Sequence, residues 1–128
     1  MPNLLQKGLS WLDDQRHKHM SLGVVYARGA DSVSLSATVG RTVFEQADEL
    51  GVIHRSESRD YLIRAEDLVL AGVLTTPRAG DRITETDGAL IHTYEVNAPG
   101  GEPPWRFSDP HRIALRIHTK RIKTEATP

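Results

Sequence analysis

Cysteine is absent from this 128-residue chain, which excludes disulfides, thiolate catalysis and cysteine-ligated metals. Aromatic residues make up only 5%, so a single domain of this length must build a modest core mainly from aliphatic side chains. Neither sign of charge prevails: 16 basic and 17 acidic residues leave a formal net charge of -1. No global field therefore draws the chain to nucleic acid or to an anionic membrane, and any basic patch is local. Long apolar runs are missing too. Near the start, Leu4, Leu5, Leu9, Trp11 and Leu12 are interrupted by Lys7, Asp13, Asp14 and Arg16, unlike the apolar stretch of a signal peptide. Nothing later approaches the length of a transmembrane helix, so no membrane partner is expected.

What is present is periodicity. Leu5, Leu9 and Leu12 fall at i, i+4 and i+7, with Leu4, Gly8 and Trp11 widening the same face, which predicts a helix over 3–19 within an N-terminal arm, 1–22. After Gly23 the period shortens to two. Val33, Leu35, Ala37 and Val39 alternate with small polar residues, the pattern of a strand with one buried face. Residues 24–28 pair with it through Gly29-Ala30-Asp31 as a hairpin. Tyr61, Ile63 and Ala65 suggest another strand, as do Leu90, His92, Tyr94 and Val96, and Asp87-Gly88 is a strong turn signal before the latter. Near the end Ile113, Leu115 and Ile117 are expected to face a core, with Arg112, Ala114, Arg116 and His118 on the other side.

Two stretches show neither period: 44–59, rich in charged and small residues, and 97–110, rich in proline and glycine. Both are expected to be long loops, although 41–49 also fits a short strand running into a turn. The second is read either as an extended arm presenting Trp105 and Phe107 on one side and Arg106 on the other, or as a segment whose Trp105 closes the end of the barrel. The tail 124–128 is expected to fray. Successive short strands, five to seven of them, without intervening helices predict a mainly β fold: a small antiparallel β-barrel or sandwich over 23–123, with an N-terminal α-helix and long loops.

Signals for chemistry are weak. His17 and His19 could chelate a metal from a strand, but on a helix their side chains diverge by about 200°, and no H-E-x-x-H spacing supports them. His54, His92, His111 and His118 are scattered singly, and His92 reads best as a hydrogen-bonded core residue. Ser, His and Asp can be picked from almost any chain of this composition. There is no G-x-S-x-G elbow, no Walker loop and no G-x-G-x-x-G following a strand. No enzyme activity, cofactor or metal is expected. Positive charge does concentrate at the end, in Arg112, Arg116, Lys120, Arg121 and Lys123, with aromatic faces in Trp105-Arg106-Phe107. A small barrel binding single-stranded nucleic acid could use both.

From Asp60 onward the chain resembles a known family. Asp60-Tyr61-Leu62-Ile63, Asp67-Leu68, Pro77-Arg78-Ala79-Gly80-Asp81-Arg82-Ile83 and Tyr94-Glu95-Val96, then the stretch from Pro99 to Pro110 and Leu115-Arg116-Ile117-His118-Thr119-Lys120, are similar to the course of phage head-tail joining (head-closure, or stopper) proteins. The resemblance implies a ring subunit, hexameric or dodecameric, in the virion neck, assembled in the host cytoplasm. It further implies a portal or adaptor protein on one side, a tail terminator or tail-tube protein on the other, a role in closing the DNA channel, and incidental contact with packaged DNA. On that footing Leu5, Leu9, Trp11, Leu12, Trp105, Arg106 and Phe107 are the expected interface residues, and Arg112, Arg116, Lys120, Arg121 and Lys123 the expected channel contacts. The alternatives are another neck or tail component, such as a tail terminator, or the nucleic-acid-binding barrel.

Overall fold

A computed structural model describes residues 21–127. The expected helix over 3–19, with Leu5, Leu9, Trp11, Leu12, His17 and His19, lies outside the described residues. Nine strands follow in order: β1 (Leu22–Arg28), β2 (Asp31–Ala47), β3 (Ile53–Arg64), β4 (Val69–Leu70), β5 (Val73–Leu74), β6 (Arg82–Asp87), β7 (Leu90–Val96), β8 (Trp105–Phe107) and β9 (Ala114–Ala126). The fold is mainly β, as the alternation predicts.

Neighbouring strands run β3-β2-β1-β6-β7-β9, and β9 then pairs with β3, so the sheet closes on itself as an antiparallel barrel. Closure removes the open edges that a small sheet would expose to other chains. β9 makes it possible by changing partners along its length. Ala114 to Thr119 pair with Arg64 to Arg59 of β3, while Thr119 to Ala126 pair with Val96 to Leu90 of β7. β8 lies along its other edge at Leu115, Arg116 and Ile117. Tight two-residue connections at Gly29-Ala30 and Gly88-Ala89 join β1 to β2 and β6 to β7. In each the glycine takes a positive φ, which a side chain at that first loop position would resist.

Inward residues from successive strands meet in one core: Val24 and Tyr26, Leu35 and Ala37, Tyr61 and Ile63, Ile83, Tyr94 and Val96, Leu115 and Ile117, with Leu68 and Leu70 joining them. Burying such a side chain is worth about 1.5–3 kcal/mol. Leu115 and Ile117 point inward as the period-two reading predicts, whereas Ile113 precedes β9 and is half-buried.

Several expectations are corrected. Segment 44–59 is not a loop: β2 and β3 run through it, 17 and 12 residues long, joined by a short turn at 48–52. Beyond Gly40 and Asp60 their ladder continues from Arg41↔Arg59 to Ala47↔Ile53, past the last β9 partner of β3 at Arg59. It therefore stands out as a two-stranded ribbon. Backbone pairing holds it, and since most of its side chains stay in water it carries no hydrophobic alternation to read. The tail does not fray through 124–126, where Thr124, Glu125 and Ala126 pair with His92, Ile91 and Leu90 and Thr127 N donates to Ala89 O at 2.9 Å. The Pro-rich arm lies back on the barrel: Pro99–Gly101 forms a single 3-10 turn, and Trp105 and Phe107 pack half-buried against the core. His118 is buried, not solvated, and His92 is half-buried with its Nδ1 2.8 Å from Thr124 Oγ1.

Candidate functional site

Three carboxylates are buried in the barrel wall, each at a seam between strands. Asp60, with no exposed surface, sits on the outward side of β3, beside its cross-strand partners Gly40 and His118. It receives hydrogen bonds from Ser58 Oγ at 2.5 Å, Arg116 Nη1 at 2.6 Å and Thr42 Oγ1, and lies 2.9 Å from His118 Nδ1. Burial alone would raise the Asp60 pKa, but hydrogen bonds from His118, Ser58, Thr42 and Arg116 outweigh it and hold the carboxyl well below the usual carboxylate range. Phe44 closes the cluster from the base of the ribbon, its ring edge-to-face with His118 at 5.2 Å. That ring covers His118, while Arg116 is turned to Asp60.

Ser, His and Asp thus do meet, at Ser58, His118 and Asp60. Both partners address the same ring nitrogen, Nδ1, at 3.4 Å and 2.9 Å. A nucleophile relay needs the two on opposite nitrogens, so this geometry ties strands together and does not activate Ser58.

The second carboxylate, Asp81, is held by Arg28 at 2.8 Å, by Tyr26 Oη and by the Arg78 backbone N–H at 2.9 Å. Arg28 also bonds Thr75 Oγ1 at 3.0 Å and Thr76 O at 2.7 Å, pinning the connection between β5 and β6. Burial would raise the Asp81 pKa, and Arg28 with Tyr26 lowers it instead. The third, Glu85, accepts from Tyr61 Oη at 2.7 Å and Arg59 Nη2 at 2.6 Å. The Arg59 guanidinium lies over Tyr61 and Tyr94, 5.5 and 5.1 Å from their ring centroids, a cation–π arrangement worth most when desolvated.

Arg59 floors a cavity of about 650 Å³ at the base of the ribbon, lined also by Val39, Gly40, Arg41, Glu57, Ser58, Tyr94, Thr119, Lys120 and Arg121. Of the expected channel contacts, the fold brings Lys120 and Arg121 together here. Neither makes an ion pair among the described residues. The others are elsewhere: Arg116 is engaged by Asp60, Lys123 lies 3.5 Å from Glu125, and Arg112 stands at the far end of the β3–β9 pairing. There it places its guanidinium 5.5 Å from the Phe107 ring centroid, at a second, mostly apolar cleft of about 420 Å³ formed by Ala65, Leu74, Thr75, Thr76, Phe107, Arg112 and Leu115. Trp105 and Phe107 stack edge-to-face at 5.1 Å on the core side of β8, opposite Ile117 and Leu115, and Arg106 is exposed.

The surface feature missed by sequence reasoning is the ribbon's tip. Leu50 is 89% exposed, Ile53 65% and Val52 52%. Its turn is tightly built: Asp48 Oδ1 accepts from Leu50 N and Val52 N, both at 2.9 Å, and Oδ2 lies 2.9 Å from His54 Nε2. These bonds, His54 foremost, lower the Asp48 pKa.

The buried carboxylates thus serve the barrel's own seams, while the most exposed large apolar side chain among the described residues, Leu50, stands at the ribbon's tip. The chain belongs to the phage head-tail joining protein family, whose pattern it matches over residues 2–126. It is thus a structural protein of the phage neck, in contact with head and tail components of the virion. No curated protein matches the chain.

Proposed function

We propose that the chain acts by shape, without turnover or cofactor, as one copy of a hexameric or dodecameric ring. The ring joins the portal or adaptor of the filled head to a tail terminator or tail-tube protein, and it helps close the DNA channel. The observation that carries this reading is the contrast between a sealed barrel and a ribbon whose apolar tip stays exposed among the described residues, set in a family that joins heads to tails. Exposed apolar residues clustered on a rigid projection mark a protein contact. The cations around the cavity, Arg41, Lys120 and Arg121, suit incidental contact with packaged DNA from the channel side.

The rival reading, a barrel that binds single strands, loses part of its basis because Trp105 and Phe107 lie against the core and not open for base stacking. Disrupting the gene in a phage or prophage should leave filled heads and finished tails unjoined, with heads losing DNA, and complementation should restore joining. Normal virions from the disrupted phage would defeat the proposal. Native mass measurement gives the copy number, and titration with an oligonucleotide at rising salt tests the rival: tight, salt-sensitive binding by a monomer would favour it.

A further inference from the structure

We infer that the tip of the β2–β3 ribbon of one copy docks in the apolar cleft beside Arg112 of the next copy. This rests on the ring reading above and names the contact that would build the ring. The two surfaces match in chemistry. The tip offers Leu50, Val52 and Ile53, all largely exposed, flanked by Glu49, which is exposed and makes no ion pair among the described residues. The cleft offers Ala65, Leu74, Phe107 and Leu115 at its sides. Leu74 is itself 64% exposed and the adjoining Val73 63%, so apolar surface extends beyond the cleft mouth. At the rim stands Arg112, held over Phe107 and without an ion pair among the described residues.

Both halves are preorganised, which lowers the entropy lost on docking. Asp48 fixes the tip through the bonds described above. At the cleft, Arg112 is one of two non-glycine residues with positive φ among the described residues. Such a conformation persists only when its surroundings enforce it. Asp109 does so, accepting from the backbone N–H groups of His111, Ile113 and Ala114 at 2.9 Å. The strained turn places a guanidinium at the edge of an apolar hollow, where a carboxylate next to an inserted leucine would meet it.

A copy's own tip cannot reach its own cleft. Tip and cleft lie at opposite ends of β3, and twelve residue steps from Ile53 to Ala65 span roughly 40 Å of extended strand. The contact therefore joins different patches on two copies. Such a contact repeats from copy to copy and closes into a ring when the rotation per copy allows.

Because the chain has no cysteine, paired thiols test the contact cleanly. A variant carrying Leu50→Cys with Leu74→Cys, both at exposed positions, is oxidised mildly, as purified subunit at high concentration and in joined particles. The expected result is a ladder of covalent multimers ending at the ring's copy number, whereas Leu50→Cys alone stops at a dimer. A ring seen by native mass measurement that yields no ladder overturns the docking and leaves the ring reading standing. Neither ring nor ladder in either preparation overturns both. In parallel, Leu50→Asp should weaken assembly by about tenfold or more, as loss of a buried anchor does, with unchanged thermal unfolding. Glu49→Arg and Arg112→Glu should each weaken assembly and together recover part of it. Wild-type assembly of Leu50→Asp would refute the contact.

Discussion

Along β3, residues 53–57 and 58–62 belong to one ladder with β2, yet the first group is exposed throughout while the second is almost wholly buried. The hydrogen-bond register does not change where the barrel ends. What changes is the covering: β9 lies against Arg59 to Arg64 and leaves the strand beyond them. Backbone pairing can thus carry a strand past the core, but burial and satisfied polar clusters supply the stability. Residues of the ribbon's outer half are free to be chosen for contacts, and those of the barrel are not.

The sharpest way to break this contrast is inside the core. Leu115, 1% exposed, should cost roughly 2–5 kcal/mol when changed to Ala, read from the midpoint shift in a denaturant titration. A neutral result would contradict the register of β9. Next in size is Asp60→Asn, which leaves Arg116 and His118 facing a neutral group. With the Arg116 side chain 22% exposed, the loss at neutral pH should be about 2 kcal/mol, below that for a fully buried broken pair.

Asp60 also sets an acid limb. Its folded-state pKa is lowered, so its stabilisation is complete above the unfolded value of about 3.9 and is lost as pH falls from there through the folded value. Unfolding measured between neutral and strongly acid pH should therefore show a flatter decline for Asp60→Asn than for the parent.

Trp105→Ala tests the boundary between the two regions. Its ring is half-buried against the core, so stability should drop by about 1.5 kcal/mol, less than the ~3–5 of a fully buried aromatic. If the variant unfolds at the parent's temperature but fails to join heads to tails, Trp105 belongs with the contact surface instead. The smallest folding effect is expected at the tip. Leu50→Asp should change stability by no more than about 0.5 kcal/mol in calorimetry, and a larger loss would mean that the tip supports the fold.

How far the sequence could be read follows the same division. Alternation at Val33, Leu35 and Ala37, and at Leu115 and Ile117, locates strands because one face of each is buried. Asp87-Gly88 marks its hairpin because the turn demands that chemistry. Residues 44–59 gave no such signal, since a ribbon with both faces largely in water needs no apolar side. Asp60, Asp81 and Glu85 look like surface charges in isolation, and only strand pairing shows them to be enclosed. A hint existed at Asp60: the unbroken run Tyr61-Leu62-Ile63 after it implies a strand covered on both faces, and hence a covered His118 across from it. For the candidate contacts, sequence located Lys120 and Arg121 near each other but could not separate Arg112 from them, because strand length sets that distance.

The double service of β9 bears on how the subunit carries load. A load between the ribbon's tip and the far end of the barrel, where the inferred contacts with neighbouring copies lie, runs lengthwise along β3. Its ladder with β9, from Arg59↔Thr119 to Arg64↔Ala114, is then strained in shear, every rung at once, and not peeled rung by rung as an unzipping hairpin would be. Through β9 the strain passes on to β7. The subunit is built as a tie-bar: it yields only when a whole ladder slips together.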